Sequence, residues 1–434
     1  MTRASDALPI PNTSFISDMT PPDDQFRADV AALDAADPLA PFRARFTLPG
    51  YVIYLDGNSL GALPRDTPSR VASVMHDEWG TGLIRSWNSA DWIGAPQRVG
   101  GKIAQLIGAQ SHEVVVADST SVNLHKLIVA ALDARPDRHV VLSEPGNFPT
   151  DLYMAQTATR LVGHGRRLEV ASRDTLVDQI TSDTALVLLT HVHYKTADLF
   201  DMAAVTAAAH ANGALVLWDL SHSVGAVPLD LNGCHADLAV GCGYKFLNGG
   251  PGAPAFLFVA ERHHAALCSP MGGWMGHARP FAFVDDYEPA PGIDRFLCGT
   301  PPILAVAALE SGVDLHLEVD MQVVAAKSRA LAQLFIDRVE AQCAAYGVTL
   351  VGPPRGAPRG SHVSFRHDEG YAIMQALIAR GVIGDFRAPD IMRFGLTPLY
   401  LRYADVAEAA EILTEVLRTE AWSADEYQVR HAVT

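Results

Sequence analysis

Cysteine is scarce in this 434-residue chain. There are five (Cys234, Cys242, Cys268, Cys298 and Cys343), and none forms a Cys-x-x-Cys pair. An odd, scattered set argues against a disulfide framework and a structural zinc site, and fits reduced thiols in a cytoplasmic protein. No apolar run is long enough to span a bilayer, so no membrane partner is expected. Basic residues are few: 33 Lys and Arg stand against 49 Asp and Glu, for a net charge of -16, and they form no cluster. An acidic surface repels phosphate backbones, which makes nucleic acid a poor partner. The N-terminus has no basic-then-apolar signal pattern. Residues 1–24 are mixed polar with four prolines and read as a flexible arm, which leaves Met19 as a second candidate start. No internal repeat or low-complexity block stands out.

Hydrophobic residues make up 49% of the chain and charged residues 19%, enough for a sizeable core. Short apolar runs at 113–117, 139–143, 185–190, 214–218, 238–242 and 254–259 predict strands. Helical stretches at 121–134 and 202–211 lie between them, the second ended by Asn212-Gly213. Nearly continuous apolar strands alternating with helices predict an α/β fold, a mostly parallel sheet covered on both faces. Such sheets bind ligands beyond the carboxyl ends of their strands. After about residue 302 the pattern changes. A largely helical stretch to 346 and a Pro/Gly/Arg-rich connector at 352–360 lead to strands at 362–366 and 391–395 and helices at 372–380 and 404–419. The expected organisation is an arm over 1–24, an N-terminal segment and large domain over 25–302, and a connecting helix with a small α+β domain over 303–434.

The strongest local signal is Trp218-Asp219-Leu220-Ser221-His222 followed by Gly243-Tyr244-Lys245-Phe246. Each segment ends an apolar strand. A pyridine-ring cofactor needs a carboxylate to keep its nitrogen protonated and an amine from a neighbouring strand end to form an imine. An acidic strand end and a solvated lysine would leave the same pattern. Ser119-Thr120-Ser121 lies between a strand and a helix, a place suited to phosphate or to an ordinary N-cap. In Asn147-Phe148-Pro149-Thr150-Asp151, Phe148 can stack on a ring, and Asp151 can bond a ring hydroxyl or cap a helix. Asn248-Gly249-Gly250-Pro251-Gly252 lacks the Lys-Ser/Thr of a phosphate loop and reads as a tight turn beside Lys245. His191 and His193 alternate on a predicted strand. With no third ligand in view, ordinary packing is favoured over metal. Arg393, in a predicted strand, can fork onto a carboxylate or form a structural ion pair.

Together the segments resemble kynureninase, within the fold-type-I pyridoxal-phosphate enzymes of the class V aminotransferase group. The resemblance rests on Tyr54-Leu-Asp-Gly-Asn-Ser-Leu-Gly61, Ser119-Thr-Ser-Val-Asn-Leu124, Asn147-Phe-Pro-Thr-Asp151, Trp218-Asp-Leu-Ser-His-Ser223, Tyr244-Lys-Phe-Leu-Asn-Gly-Gly250, Gly273-Trp-Met-Gly-His277 and Gly299-Thr-Pro-Pro-Ile-Leu304. It runs from about residue 50 to the end.

The resemblance implies hydrolysis of the Cβ–Cγ bond of L-kynurenine or its 3-hydroxy form, giving anthranilate or 3-hydroxyanthranilate and L-alanine, in tryptophan catabolism. It implies pyridoxal 5'-phosphate held on Lys245, with Asp219 at the ring nitrogen and His222, Phe148, Asp151 and Thr190 around the ring. Thr120, Ser121 and Tyr244 would bind the phosphate, and Tyr244 is also the acid–base candidate. Trp274 and Thr300 would complete the phosphate pocket from the other subunit of a homodimer. Arg393 would hold the substrate carboxylate, with Asn58 and Ser59 at the substrate pocket.

Two departures stand out. Thr300 occupies a position where some relatives carry Asn. The stretch 82–87, where animal relatives place a histidine, has none. The alternatives are another class V enzyme, an aminotransferase or a cysteine desulfurase, and a binding protein that keeps the fold without catalysis. A desulfurase needs a nucleophilic loop cysteine, and no segment here suggests one.

Overall fold

The computed structural model describes residues 24–430 and divides into two compact units. The arm expected over 1–24 falls outside the described residues except for Asp24.

One unit comprises Ser59–Ala325 and Pro358–Gly360. Its main sheet has seven strands, β1 (Val114–Val116), β2 (Val140–Ser143), β3 (Arg167–Val170), β4 (Thr184–Thr190), β5 (Leu215–Asp219), β6 (Leu238–Gly241) and β7 (Phe256–Val259). They lie in the order β1-β7-β6-β5-β4-β2-β3. Only β7 runs antiparallel to its neighbours. Successive side chains point to opposite faces, so the central strands feed two cores. Val187, Leu189, Val216 and Trp218 join one core. Leu186, Leu188, Leu215 and Leu217 join the other.

Helices α1 (Ala95–Ile107), α4 (Met202–Ala211) and α5 (Ile303–Leu317) supply Val99, Ile103, Val205, Leu309 and Val313 to the first core. Helices α2 (Thr120–Asp133) and α3 (Pro149–Val162) supply Leu124, Ile128, Ala155 and Ala158 to the second. Each fully buried Leu or Val contributes about 1.5–3 kcal/mol. The mostly parallel sheet covered on both faces is therefore as expected. Strand β3 was not foreseen. Its sequence, RLEV, is charged and largely exposed at the sheet edge, so no apolar run marks it.

The other unit comprises the described residues up to Asn58, with Ala326–Ala357 and Ser361 onward. Strands β8 (Thr349–Val351), β9 (His362–Arg366), β10 (Asp385–Arg387) and β11 (Ile391–Gly395) form an antiparallel sheet in the order β8-β9-β11-β10. Helices α6 (Gly370–Ile378) and α7 (Tyr403–Arg418) accompany it. Phe335, Phe365 and Phe394 meet edge-to-face at 5.0–6.4 Å between centroids in its core.

The division differs from the expected one in two ways. The boundary falls inside the helix Met321–Cys343, at Ala325, rather than near 302. The segment before Ser59, expected with the large domain, groups with the C-terminal residues. Ile53–Tyr54 pairs in parallel with Val382–Ile383, and the Asp34 carboxylate accepts the Tyr403 and Ala404 N–H groups at 2.7 and 3.1 Å.

Candidate active site

Strands β4 and β5 stand in register so that Thr190 lies opposite Asp219, both at carboxyl ends. That is where a parallel sheet opens to a ligand. Asp219 is buried, and its Oδ1 accepts the Ser221 N–H at 2.7 Å. The turn after β5 presents His222, whose Nε2 lies 2.9 Å from Lys245 Nζ.

Lys245 follows β6 and is itself buried. The turn expected over 248–252 is tight, with Asn248 at φ +58° and Gly250 at φ +86°. The Asn248 N–H donates to Lys245 O at 3.0 Å and the Gly249 N–H to Gly243 O at 2.9 Å. Gly61 donates its N–H to Tyr244 O at 2.8 Å, and a Cβ there would collide with the Lys245 carbonyl. That close backbone approach requires glycine.

Phe148 caps α3, with its ring 5.6 Å from Lys245 Nζ and edge-on to Tyr194 at 5.1 Å. Asp151, in the first turn of α3, is wholly buried, and Thr190 Oγ1 lies 3.4 Å from its Oδ2. Thr190 Oγ1 also donates to Asn147 Oδ1, which accepts the Phe148 N–H at 2.7 Å. Asn147 had no role in the sequence reading. It fixes both Thr190 and the start of α3, and its signal in the sequence is its place at the head of the Asn147–Asp151 segment.

Burial pushes both carboxyls up. The Asp151 carboxyl rises well above the usual range, through burial first and then the nearby Asp219 charge, against the pull of Lys245. Asp219 also rises through burial, but the Ser221 hydrogen bond and Lys245 hold it back. Two buried carboxyls thus share one amine. Asp151 Oδ1 has no hydrogen-bond partner, although buried polar atoms normally have one. A protonated ring nitrogen and a polar ring substituent are the missing complements, so these residues fit a pyridinium cofactor.

Ser119 is the N-cap of α2, accepting the Val122 N–H at 3.4 Å, and Thr120 and Ser121 open the helix. This leaves the first-turn N–H groups and two hydroxyls at the positive end of a 14-residue helix. Trp274 and Thr300 lie in two loops joined by the Met275 N–H to Cys298 O at 3.2 Å. Among the described residues, no hydrogen bond ties them to Lys245. Cys242, close to Lys245 in sequence, is buried, and burial raises its thiol pKa.

His191 and His193 follow β4 rather than alternating within it. They face different partners, Ser223 Oγ and Gly146 O, each at 2.9 Å. No cluster of three potential metal ligands occurs among the described residues.

In the other unit, Arg393 is buried on β11, in register with Asp385 on β10. Its Nε donates to Asp385 Oδ1 at 2.8 Å and its Nη2 to Oδ2, and Arg387 Nη2 joins the same carboxylate at 2.6 Å. The structural ion pair is therefore present, with Asp385 orienting the fork. Asn58 is fully buried, and neither its Nδ2 nor its Oδ1 has a partner. Ser59, next in the chain, is half-buried.

Residues 324–413 match the family model described as Kynureninase C-terminal domain. The chain is 52% identical over 413 residues to a kynureninase of Pseudomonas fluorescens, covering 94% of this chain and 99% of that one. It is 51% identical, with the same coverage, to a kynureninase of Burkholderia mallei. Among solved structures it resembles the apo cysteine desulfurase of Thermococcus onnurineus, with TM-score 0.75 and 17% identity over 87% of this chain and 98% of that one. It also resembles C-DES with glycine covalently linked to its PLP cofactor, with TM-score 0.75 and 16% identity over 86% and 99%. The latter two show the fold alone. The identity to the curated relatives, sustained over almost the whole of both chains, carries more: this chain belongs to the kynureninase family.

Proposed function

We propose that this chain hydrolyses L-kynurenine, or its 3-hydroxy form, to anthranilate or 3-hydroxyanthranilate and L-alanine, using pyridoxal 5'-phosphate. The carrying observation is the buried Lys245 amine enclosed with the two buried carboxyls of Asp219 and Asp151. Lys245 Nζ would anchor the cofactor aldehyde, and Asp219 would serve the ring nitrogen. Phe148, His222, Thr190 and Asp151 would hold the ring. Thr120, Ser121 and Tyr244 would hold the phosphate. When bound there, the cofactor supplies an electron sink that stabilises negative charge next to the substrate's amino group.

The chain's own residues do the rest. The Arg393 fork binds the substrate α-carboxylate, oriented from behind by Asp385. Asn58 and Ser59 bound the substrate pocket, and the two unpartnered amide atoms of Asn58 support this assignment. Lys245 Nζ would also be the group that moves the α-proton. Tyr244, adjacent to Lys245, is the acid–base group for the water that adds at the γ-carbonyl. In the net reaction the Cβ–Cγ bond breaks, the water oxygen ends on Cγ and a proton ends on Cβ.

The active form is a cytoplasmic homodimer in which the partner supplies Trp274 and Thr300. An exposed aromatic run supports a second copy as its cover. Trp87, Trp274, Phe281 and Phe283 follow one another at 5.9–6.4 Å, and Phe281 and Phe283 are 64% and 85% exposed. No helix among the described residues is long and apolar enough to cross a membrane.

The test is to add L-kynurenine to the PLP-loaded protein and follow anthranilate fluorescence, with 3-hydroxykynurenine in parallel. Turnover of neither substrate overturns the reading. A desulfurase reading is disfavoured because the cysteine nearest Lys245 in the chain, Cys242, is buried and burial raises its thiol pKa.

A further inference from the structure

Lys126 is a charged residue that the mechanism does not use. It is the seventh residue of α2 and fully buried. Helical side chains lean toward the N-terminus, and the Lys126 stem runs back along α2 to the helix start. There Nζ donates to the Asp118 carboxylate and to the Phe296 carbonyl, the latter at 2.6 Å. Asp118 directly precedes the N-cap Ser119. Its backbone is left-handed at φ +48°, and its carbonyl accepts the Ala255 N–H at 2.9 Å. Phe296 leads into Cys298 and Thr300, the loop that Cys298 O ties to Met275 beside Trp274.

One buried ammonium therefore joins two segments. It also neutralises the carboxylate of the residue directly before the N-cap of α2. An unpaired carboxylate there would repel any anion drawn to the same helix end.

We propose that Lys126 is a positioning residue for the cofactor phosphate. It silences the charge of Asp118, the residue directly before the N-cap of the helix whose first turn holds that phosphate. This rests on the functional reading above, in which Thr120 and Ser121 hold that phosphate. A half-buried pair kept only for stability would affect every ligand alike. A pair that screens the phosphate would affect phosphate-bearing ligands selectively.

The experiment measures Kd for pyridoxal 5'-phosphate and for pyridoxal, which lacks the phosphate, by absorbance titration of the full-length apoprotein. Wild type, Lys126→Met, Asp118→Asn and the double variant are compared, with thermal melts of each as a folding control. Lys126→Met is expected to raise Kd for the phosphate ester about tenfold or more while changing Kd for pyridoxal less than about threefold. Asp118→Asn should bind the ester at least as tightly as wild type. The double variant should return to within about threefold of wild type, because the charge to be screened is gone.

Equal losses for both ligands, or no rescue in the double variant, overturn the proposal. If Lys126→Met does not fold, Asp118→Asn decides alone: weaker binding of the ester overturns the proposal, and retained or tighter binding supports it. Wild-type protein that fails to bind the ester brings down the functional reading itself, a result distinct from all of these.

Discussion

Thr190 and Asp219 stand side by side at the carboxyl ends of two parallel strands, and the chemistry of the site is arranged around that pair. Thr190 reaches toward Asp151 and Asn147 on one side. The Ser221 N–H holds the Asp219 carboxylate on the other. Asp219→Asn, which keeps the shape and removes the charge, is expected to lower kcat by roughly 10²–10⁴-fold with little change in melting temperature. Steady-state kinetics and a thermal melt check this, and an active Asn variant would remove Asp219 from the ring nitrogen.

Lys245→Ala is expected to abolish turnover and the borohydride-reducible yellow chromophore. The absorbance spectrum of the purified variant, before and after reduction, decides it. A variant that keeps colour resisting dialysis would point to a different anchor.

Helix α5 packs on the segment that carries Lys245. A Cβ at Gly312 would collide with Leu247 O, and one at Gly225 would press on the buried His316 ring. Gly312→Ala must therefore shift the lysine turn. It should cost about 1–3 kcal/mol of stability and speed loss of the cofactor on dilution. Unchanged retention of cofactor in a folded Gly312→Ala protein would argue that the turn has slack.

Arg393→Ala is expected to raise KM for kynurenine strongly. It also strips the buried Asp385 of its forked partner, although Arg387 still pairs with it, a loss of about 3–5 kcal/mol. Arg393→Lys separates the two effects, because a lysine keeps the charge but not the fork. It should recover stability while KM stays high.

Asp237 gives a pH prediction. Burial acts against its ionisation, yet hydrogen bonds from His263, His210 and the Val216 N–H bring its carboxyl down to about 2. A carboxyl lowered on folding contributes stability that is present above its unfolded pKa, near 4, and is lost as pH falls from there through about 2. The contribution at neutral pH is about 2 kcal/mol. Asp237→Asn should therefore melt lower than wild type at pH 7, and the gap should narrow between about pH 4 and pH 2. A constant gap across that range would mean the hydrogen bonds matter but the charge does not.

The site was legible in the sequence where chemistry and secondary structure coincide. Asp219 and Lys245 each follow an unbroken apolar run, and a fully buried strand must emerge where its apolar residues stop. Asp385 was not legible as the partner of Arg393, because its strand, Asp385–Arg387, is only three residues long and too short to show a period. Strands β8 and β10, three residues each, were missed for the same reason. The Lys126–Asp118 pair is eight residues apart on and before one helix, a spacing that no sequence rule singles out. The grouping of Ile53–Tyr54 with Val382–Ile383 depends on contacts more than three hundred residues apart, which no window along the chain can register.

That last pairing bears on synthesis. The seven-stranded sheet has all its strands once Val259 has emerged from the ribosome, and it can close while translation continues. The partner of Ile53–Tyr54 is made more than three hundred residues later. A nascent chain therefore carries Ile53–Tyr54 without its parallel partner past a finished sheet, and premature termination before Val382 would release a protein whose larger unit has all its strands while Ile53–Tyr54 has no strand to join.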